Sequence, residues 1–217
     1  MSLTPEALSG LRQEYTQNGL RRNDLDADPL VLFRKWLSEA QQVGVLEPNA
    51  MVLSTVDLDG KPWSRVVLLK VCDEHGFAFF TNYRGAKAVH LLNEPRAALT
   101  FWWGALERQV NITGRVSKTS RDTSERYFAS RPRASQLGAW VSQQSSVITG
   151  RAELEEGRAQ MEQQFDGKDV ECPVNWGGYV LEPETIEFWQ GRQSRLHDRF
   201  RFSREGAISW KVERLAP

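Results

Sequence analysis

The sequence is poor in cysteine. Only Cys72 and Cys172 occur in 217 residues, and neither sits in a CxxC pair. A disulfide-framed scaffold is therefore excluded. His75, His90 and His197 are scattered, with no HExxH and no Cys/His cluster, so no metal site is expected. Charge of either sign is not in excess: 28 Lys plus Arg balance 28 Asp plus Glu. A bulk polyanion binder would need a surplus of cations, so nucleic acid is not an expected partner. No run of apolar residues reaches the length of a membrane span, and no membrane association is expected. The opening stretch MSLTPEALSGLRQEY lacks a cationic start followed by an apolar run, which predicts a cytoplasmic location. Also missing are GxGxxG after a strand, GxxxxGK[ST] and GxSxG. A phosphate bound by this chain must be held by side chains rather than by a glycine loop.

What is present is arginine. The cations divide into 7 Lys and 21 Arg. Arginine offers a planar fork of donors suited to phosphate and carboxylate. Hydrophobic residues at 40% and charged residues at 26% are those of an ordinary soluble domain. Eight Trp and ten Phe supply core, and flat walls for a planar ligand.

Residues 1–27 read as a polar, partly ordered arm, and residues 28–217 as a single domain with no internal repeat or long linker. Asp28-Pro29 has the form of an N-cap with Pro in the first turn, and apolar spacing predicts a helix over 29–43. From residue 50 the period becomes two. Strands are expected at 50–56, 63–71, 77–82, 97–103 and 108–117, with an Asp-Gly turn at 57–60 and a short helix over 86–93. Helices over 119–130, 135–141 and 152–165 follow, then strands at 179–189, 199–203 and 207–212. The expected class is α+β, with an antiparallel sheet that closes or nearly closes into a barrel.

Five segments place Arg or Lys beside hydroxyls and amides. In Ser64 to Lys70, alternation sends Arg65 and Lys70 to opposite faces. Thr81 to Lys87 runs from a strand end into a helix start, where free N–H groups favour an anion. Tyr127, Arg131 and Ser135 recur at four-residue intervals around Pro132. Gln143 to Ser146 is polar and, taken alone, reads as a loop. The fifth is Ile186-Glu187-Phe188-Trp189-Gln190, four residues, then Arg195-Leu196-His197-Asp198-Arg199. Alternation puts Arg195, His197 and Arg199 on one strand face, costly unless a ligand or carboxylates neutralise it.

That last segment resembles the signature of the pyridoxamine 5′-phosphate oxidase family. The likeness extends to Leu11 to Tyr15, Gly19 to Arg22, Arg65 to Lys70, Glu107 to Gln109, Ser130 to Arg133, Gly138 to Ser142 and the terminal Arg214 to Pro217. The resemblance implies a split antiparallel β-barrel with flanking helices and FMN at a homodimer interface. It implies oxidation of pyridoxamine 5′-phosphate or pyridoxine 5′-phosphate to pyridoxal 5′-phosphate. Hydride passes from C4′ to the flavin, O₂ takes the electrons and H₂O₂ leaves; with the amine, the imine is hydrolysed and ammonia is released.

By resemblance, FMN is assigned to Arg65, Val66, Val67, Leu68, Leu69, Lys70, Phe80, Thr81, Lys87, Gln109, Gln144, Ser145, Trp189 and Arg199. The substrate is assigned to Lys70, Tyr127, Arg131 and Ser135 at its phosphate. Arg195 and His197 lie over its ring as the catalytic pair, and Arg12 to Tyr15 act as a lid. Two positions depart from the family. Ala86 stands where an Arg is common, with Arg84 two places earlier, and Phe80 stands where Tyr is frequent. Two rival readings are another split-barrel FMN-dependent reductase and a non-catalytic flavin or vitamer-phosphate binder. The Arg-Leu-His-Asp-Arg run and the Tyr/Arg/Ser set weigh against the reductase, and the presence of Arg195 and His197 favours an enzyme over a binder, though a binder could keep them.

Overall fold

The computed structural model describes residues 10–11, 14–206 and 209–217. Among the described residues there are nine strands and five α-helices. They are α1 (Pro29–Gln42), β1 (Ala50–Val56), β2 (Pro62–Leu68), β3 (Val71–Asp73), β4 (Gly76–Asn82), α2 (Ala86–Asn93), β5 (Arg96–Trp103), β6 (Arg108–Lys118), α3 (Arg121–Ala129), α4 (Arg133–Val141), α5 (Arg151–Gln164), β7 (Trp176–Gln190), β8 (Asp198–Glu205) and β9 (Ser209–Leu215). The strand order is β2-β1-β5-β6-β7-β4-β3, with β8 on β7 and β9 on β8. Two compact units form: Met1–Pro48, Phe101–Asn111 and Thr185–Pro217 in one, Asn49–Thr100 and Ile112–Glu184 in the other.

In the second unit β1 lies antiparallel to β2, with Leu53 opposite Arg65 and Thr55 opposite Trp63. β1 alternates, burying Met51, Leu53 and Thr55. The turn before β2 is fixed by Asp57, whose carboxylate accepts from the backbone of Asp59 (3.0 Å) and Lys61 (2.9 Å) and from Trp63 Nε1 (2.8 Å). Gly60 takes the left-handed φ of 82° that this turn requires. A satellite core of Phe128, Leu137, Phe165, Val170 and Trp176 lies in the same unit. Strand β2 stops at Leu68 and β3 begins at Val71, where one strand over 63–71 is expected.

In the first unit Asp28 caps α1, accepting from Leu30 N at 2.9 Å. The helix buries Leu30, Leu32, Phe33, Trp36 and Ala40. Phe33 meets Phe101 edge-on at 5.0 Å, and Trp36 meets Phe188 at 5.2 Å. The Arg108 guanidinium lies 4.5 Å from the Trp36 ring and pairs with Glu39. β8 starts at Asp198, antiparallel to β7 with Arg199 opposite Trp189, and β9 pairs with β8. The strand expected from Ala207 begins at Ser209; Ala207 itself lies outside the described residues.

Candidate functional site

A cavity of about 660 Å³ opens in the second unit. It is lined by four cations, Arg65, Lys70, Lys87 and Arg131, and by no Asp or Glu. Cations held this way repel one another. The Lys87 ammonium is pushed below its ordinary pKa, first by burial and then by the neighbouring Arg65. Burial likewise lowers Arg65 and Arg131. A site so built favours a multiply charged anion, which would relieve both the repulsion and the lost hydration.

One part of the lining is a polar cluster. Lys87, in the first turn of α2, donates to Gln144 Oε1 (2.5 Å) and to Thr81 Oγ1 (3.2 Å), and Thr81 donates to the same Gln144 oxygen (3.2 Å). Ser145, held at a left-handed φ of 74°, accepts from Ala86 N at 3.1 Å. The run Gln143 to Ser146, a plain loop by sequence, thus supplies one partner of Lys87 and, through Ser145, an acceptor for the first N–H of α2.

The other part is aromatic and cationic. Phe80, Tyr127 and Trp176 stack, with Phe80 to Tyr127 centroids at 4.0 Å and Phe80 to Trp176 at 5.7 Å. The Arg131 guanidinium lies 4.6 Å from the Trp176 ring. Its Nη1 is buried and has no hydrogen-bond partner. Buried donors are normally paired, so this one is poised for an absent acceptor. Tyr127 comes from the end of α3 and Ser135 from the first turn of α4, and both line the cavity with Arg131. They converge although the helix breaks at Pro132, not along one continuous helix.

One expectation needs correction here. Arg65 and Lys70 line the same cavity, because β2 ends at Leu68 and strand alternation does not reach Lys70. Arg84 is exposed and lies outside the cavity lining, beside Ala86 and Ser146 in a smaller cleft. Val66, Val67, Leu68, Phe80, Thr81 and Gln144 also line the cavity. Leu69 is buried; its N–H donates to Asn49 O, and its carbonyl accepts from Asn49 Nδ2. Asn82, Ser142 and Trp176 line the cavity without having been singled out. Only the tryptophan surplus hinted at the last.

The first unit holds a separate cluster. The Trp189 and His197 rings are 4.6 Å apart, and the Tyr15 ring stands edge-on to both, at 5.6 Å and 5.5 Å. Arg192 N donates to His197 Nδ1 at 3.1 Å, which places the imidazole proton on Nε2. Burial, then the charge of Arg195, lowers the His197 pKa. Arg195 ends a short turn in which Ser194 and Arg195 both adopt left-handed φ, 55° and 59°. That backbone costs a non-glycine residue roughly 1–2 kcal/mol and is characteristic of functional loops.

Arg195, His197 and Arg199 do not share a strand face: β8 begins only at Asp198. Arg199 is neutralised by Glu187 at 2.9 Å and also donates to Ala216 O at 2.8 Å. Asp198 is buried; it accepts from Leu20 N at 3.1 Å and pairs with Arg214. Gln109 is half-buried on β6, away from the cavity lining. Arg12 lies outside the described residues. Among the described residues no group of three or more His, Cys, Asp or Glu is placed to hold a metal ion, and no helix is long and apolar enough to cross a membrane.

Comparison with known proteins follows the same lines. Residues 37–164 match the family model described as pyridoxamine 5′-phosphate oxidase. Residues 176–217 match the pyridoxine 5′-phosphate oxidase C-terminal dimerisation region. The chain is 52% identical to the pyridoxine/pyridoxamine 5′-phosphate oxidase of Rubrobacter xylanophilus, over 97% of this chain and 96% of that protein. It is 50% identical to the protein of that name from Citrobacter koseri, over 98% and 97%. The crystal structure of PhzG from Burkholderia lata, in complex with tetrahydrophenazine-1-carboxylic acid, superposes with a TM-score of 0.86 at 28% identity, covering 93% of this chain and 99% of that one. A pyridoxamine 5′-phosphate oxidase-related, FMN binding protein from Nostoc punctiforme has a TM-score of 0.69 at 16% identity, covering 85% and 97%. That likeness concerns the fold alone, the α+β split barrel expected from the sequence.

Proposed function

We propose that this chain, which belongs to the pyridoxamine 5′-phosphate oxidase family, oxidises pyridoxamine 5′-phosphate or pyridoxine 5′-phosphate to pyridoxal 5′-phosphate with FMN as cofactor and O₂ as acceptor. The observation that carries the reading is the cavity of four cations and no carboxylate, in which a buried Arg131 donor lacks a partner. That donor set fits phosphate esters.

In this reading Arg65, Lys87, Thr81, Gln144 and Ser145 hold the phosphate end of FMN, with residues 66–70, Phe80, Gln109, Trp189 and Arg199 around the rest of it. Lys70, Tyr127, Arg131 and Ser135 hold the substrate phosphate. A charge-assisted hydrogen bond contributes about 1.5–3 kcal/mol, so three or four suffice to anchor a small dianion. FMN, when bound, supplies the acceptor for hydride from C4′ and returns the electrons to O₂, giving H₂O₂. Arg195 and His197 orient the pyridine ring. With its pKa lowered, His197 is neutral at neutral pH and carries its proton at Nε2. Arg12 to Tyr15 close over the substrate and limit access of water. The working site lies at a homodimer interface, and residues 176–217, matched to the family's dimerisation region, carry Trp189, Arg195, His197 and Arg199.

The test is spectroscopic. The purified protein should show flavin absorption that bleaches on anaerobic addition of pyridoxamine 5′-phosphate and returns with O₂. Hydrogen peroxide should exceed one equivalent per chain. Bleaching by NADPH but not by pyridoxamine 5′-phosphate would favour a reductase; no turnover beyond one equivalent would favour a carrier.

A further inference from the structure

Behind the cavity wall a buried hydroxyl links two ionisable side chains. Thr55, on β1, is 2% exposed, and its Oγ1 accepts from Arg65 Nη1 at 2.5 Å. The same Nη1 reaches Leu53 O at 3.3 Å. On its other side Thr55 Oγ1 lies 3.0 Å from Nδ1 of His90, a buried residue of α2. The protons can be assigned. The Arg65 nitrogen is a donor only, so Thr55 accepts from it. The hydroxyl proton then goes to His90 Nδ1, because the alternative leaves a buried O–H unpaired, at roughly 1–3 kcal/mol. His90 is thereby the neutral tautomer protonated at Nε2.

We infer that Thr55, backed by His90, is a positioning residue that aims Arg65 at the phosphate of FMN. Arg65 needs such a device. Its guanidinium is half-buried, burial lowers its pKa, and the nearby Lys87 repels it. Unrestrained, a long cationic side chain beside another cation swings towards solvent. Thr55 and Leu53 occupy one terminal nitrogen and fix the plane of the fork. Among the described residues its Nε and Nη2 have no protein partner, and they are left for an oxyanion. The side chain is thus placed before the ligand arrives, which lowers the entropy cost of binding. Neither Thr55 nor His90 lines the cavity, so neither touches the ligand.

This inference rests on the reading that Arg65 holds the FMN phosphate. It is tested by titrating flavin-stripped full-length protein with FMN and with riboflavin, which lacks the phosphate, following flavin fluorescence. Thr55→Val keeps the side-chain shape and removes the hydroxyl. It should lower FMN affinity roughly tenfold, with little change for riboflavin. Thr55→Ser should restore it, and His90→Leu should lower FMN affinity in the same selective way. If Thr55→Val weakens FMN and riboflavin alike, or if Thr55→Ser fails to rescue, Thr55 is a packing residue and the inference falls. Arg65→Ala separates the two levels. If it lowers FMN affinity while Thr55→Val does not, only the positioning role is lost. If Arg65→Ala itself leaves FMN affinity unchanged, the assignment of Arg65 fails and the inference fails with it.

Discussion

Both carboxylate oxygens of Glu107 lie 3.0 Å from the backbone nitrogen of Thr16, and one also accepts from Gln17 N at 3.1 Å. Glu107 holds a left-handed φ of 54°, and its own carbonyl accepts from Gly191 N at 2.8 Å. A side chain at Gly191 would crowd Tyr15 and Glu107. One residue therefore ties the arm to the turn after β7 and sets Tyr15 against Trp189 and His197. Glu107→Ala should free the arm, so that trypsin cuts at Arg21 or Arg22 several times faster than in the parent. Unchanged cleavage would mean that Glu107 does not hold it.

Arg131 offers a buried, unpaired donor over Trp176. Arg131→Ala should raise KM for pyridoxamine 5′-phosphate by roughly 10- to 100-fold, the loss of one charge-assisted hydrogen bond. Flavin content should stay at the parent level. Steady-state kinetics and the absorption spectrum check both parts, and an unchanged KM would remove Arg131 from the phosphate site.

Lys87 shares Gln144 with Thr81 and stands beside Arg65. Lys87→Ala should therefore lose FMN on dialysis faster than it loses affinity for substrate. The reverse order would reassign Lys87 to the vitamer.

Arg195→Ala should lose most turnover while the protein remains yellow. Parent-rate turnover would contradict the role given to Arg195.

The same variant has a titration signature. Burial first, and Arg195 second, hold His197 below the ordinary histidine pKa. The unfolded chain thus binds a proton that the folded chain refuses. Between the lowered folded value and about 6.5, stability rises with pH, and this contribution is complete above 6.5. Removing Arg195 should move the His197 ring titration, followed by NMR, upward but not fully to the ordinary value. A downward movement would mean that Arg195 is not the repelling cation.

Much of this was legible from residue spacing. The helix over 86–93 and the strand over 50–56 fall where the sequence reading puts them, because a change of period and an Asp-Gly turn bound them locally. Site residues were reached by resemblance more than by pattern. Where pattern alone was used, tertiary structure overrode it. Alternation joined Arg195, His197 and Arg199, but consecutive left-handed residues at Ser194 and Arg195 delay the strand to Asp198. Alternation likewise separated Arg65 from Lys70, because it could not see β2 ending at Leu68. Gln144 was reached by resemblance alone and Thr55 was not reached at all, for a different reason. Each acts through a partner 63 or 35 positions away, and no local pattern encodes such a pairing.

The lining of Arg65, Lys70, Lys87 and Arg131 without a carboxylate has a consequence for the life of the protein in a cell. Packing like charges together carries a cost that a bound anion offsets. Ligand at one hundred times its dissociation constant adds about 2.7 kcal/mol to folding stability. On the proposal that FMN is that ligand, a fall in its supply should enlarge the unfolded fraction that proteolysis removes. The amount of this protein should then follow the flavin supply of the cell, which immunoblotting of riboflavin-limited cells would check.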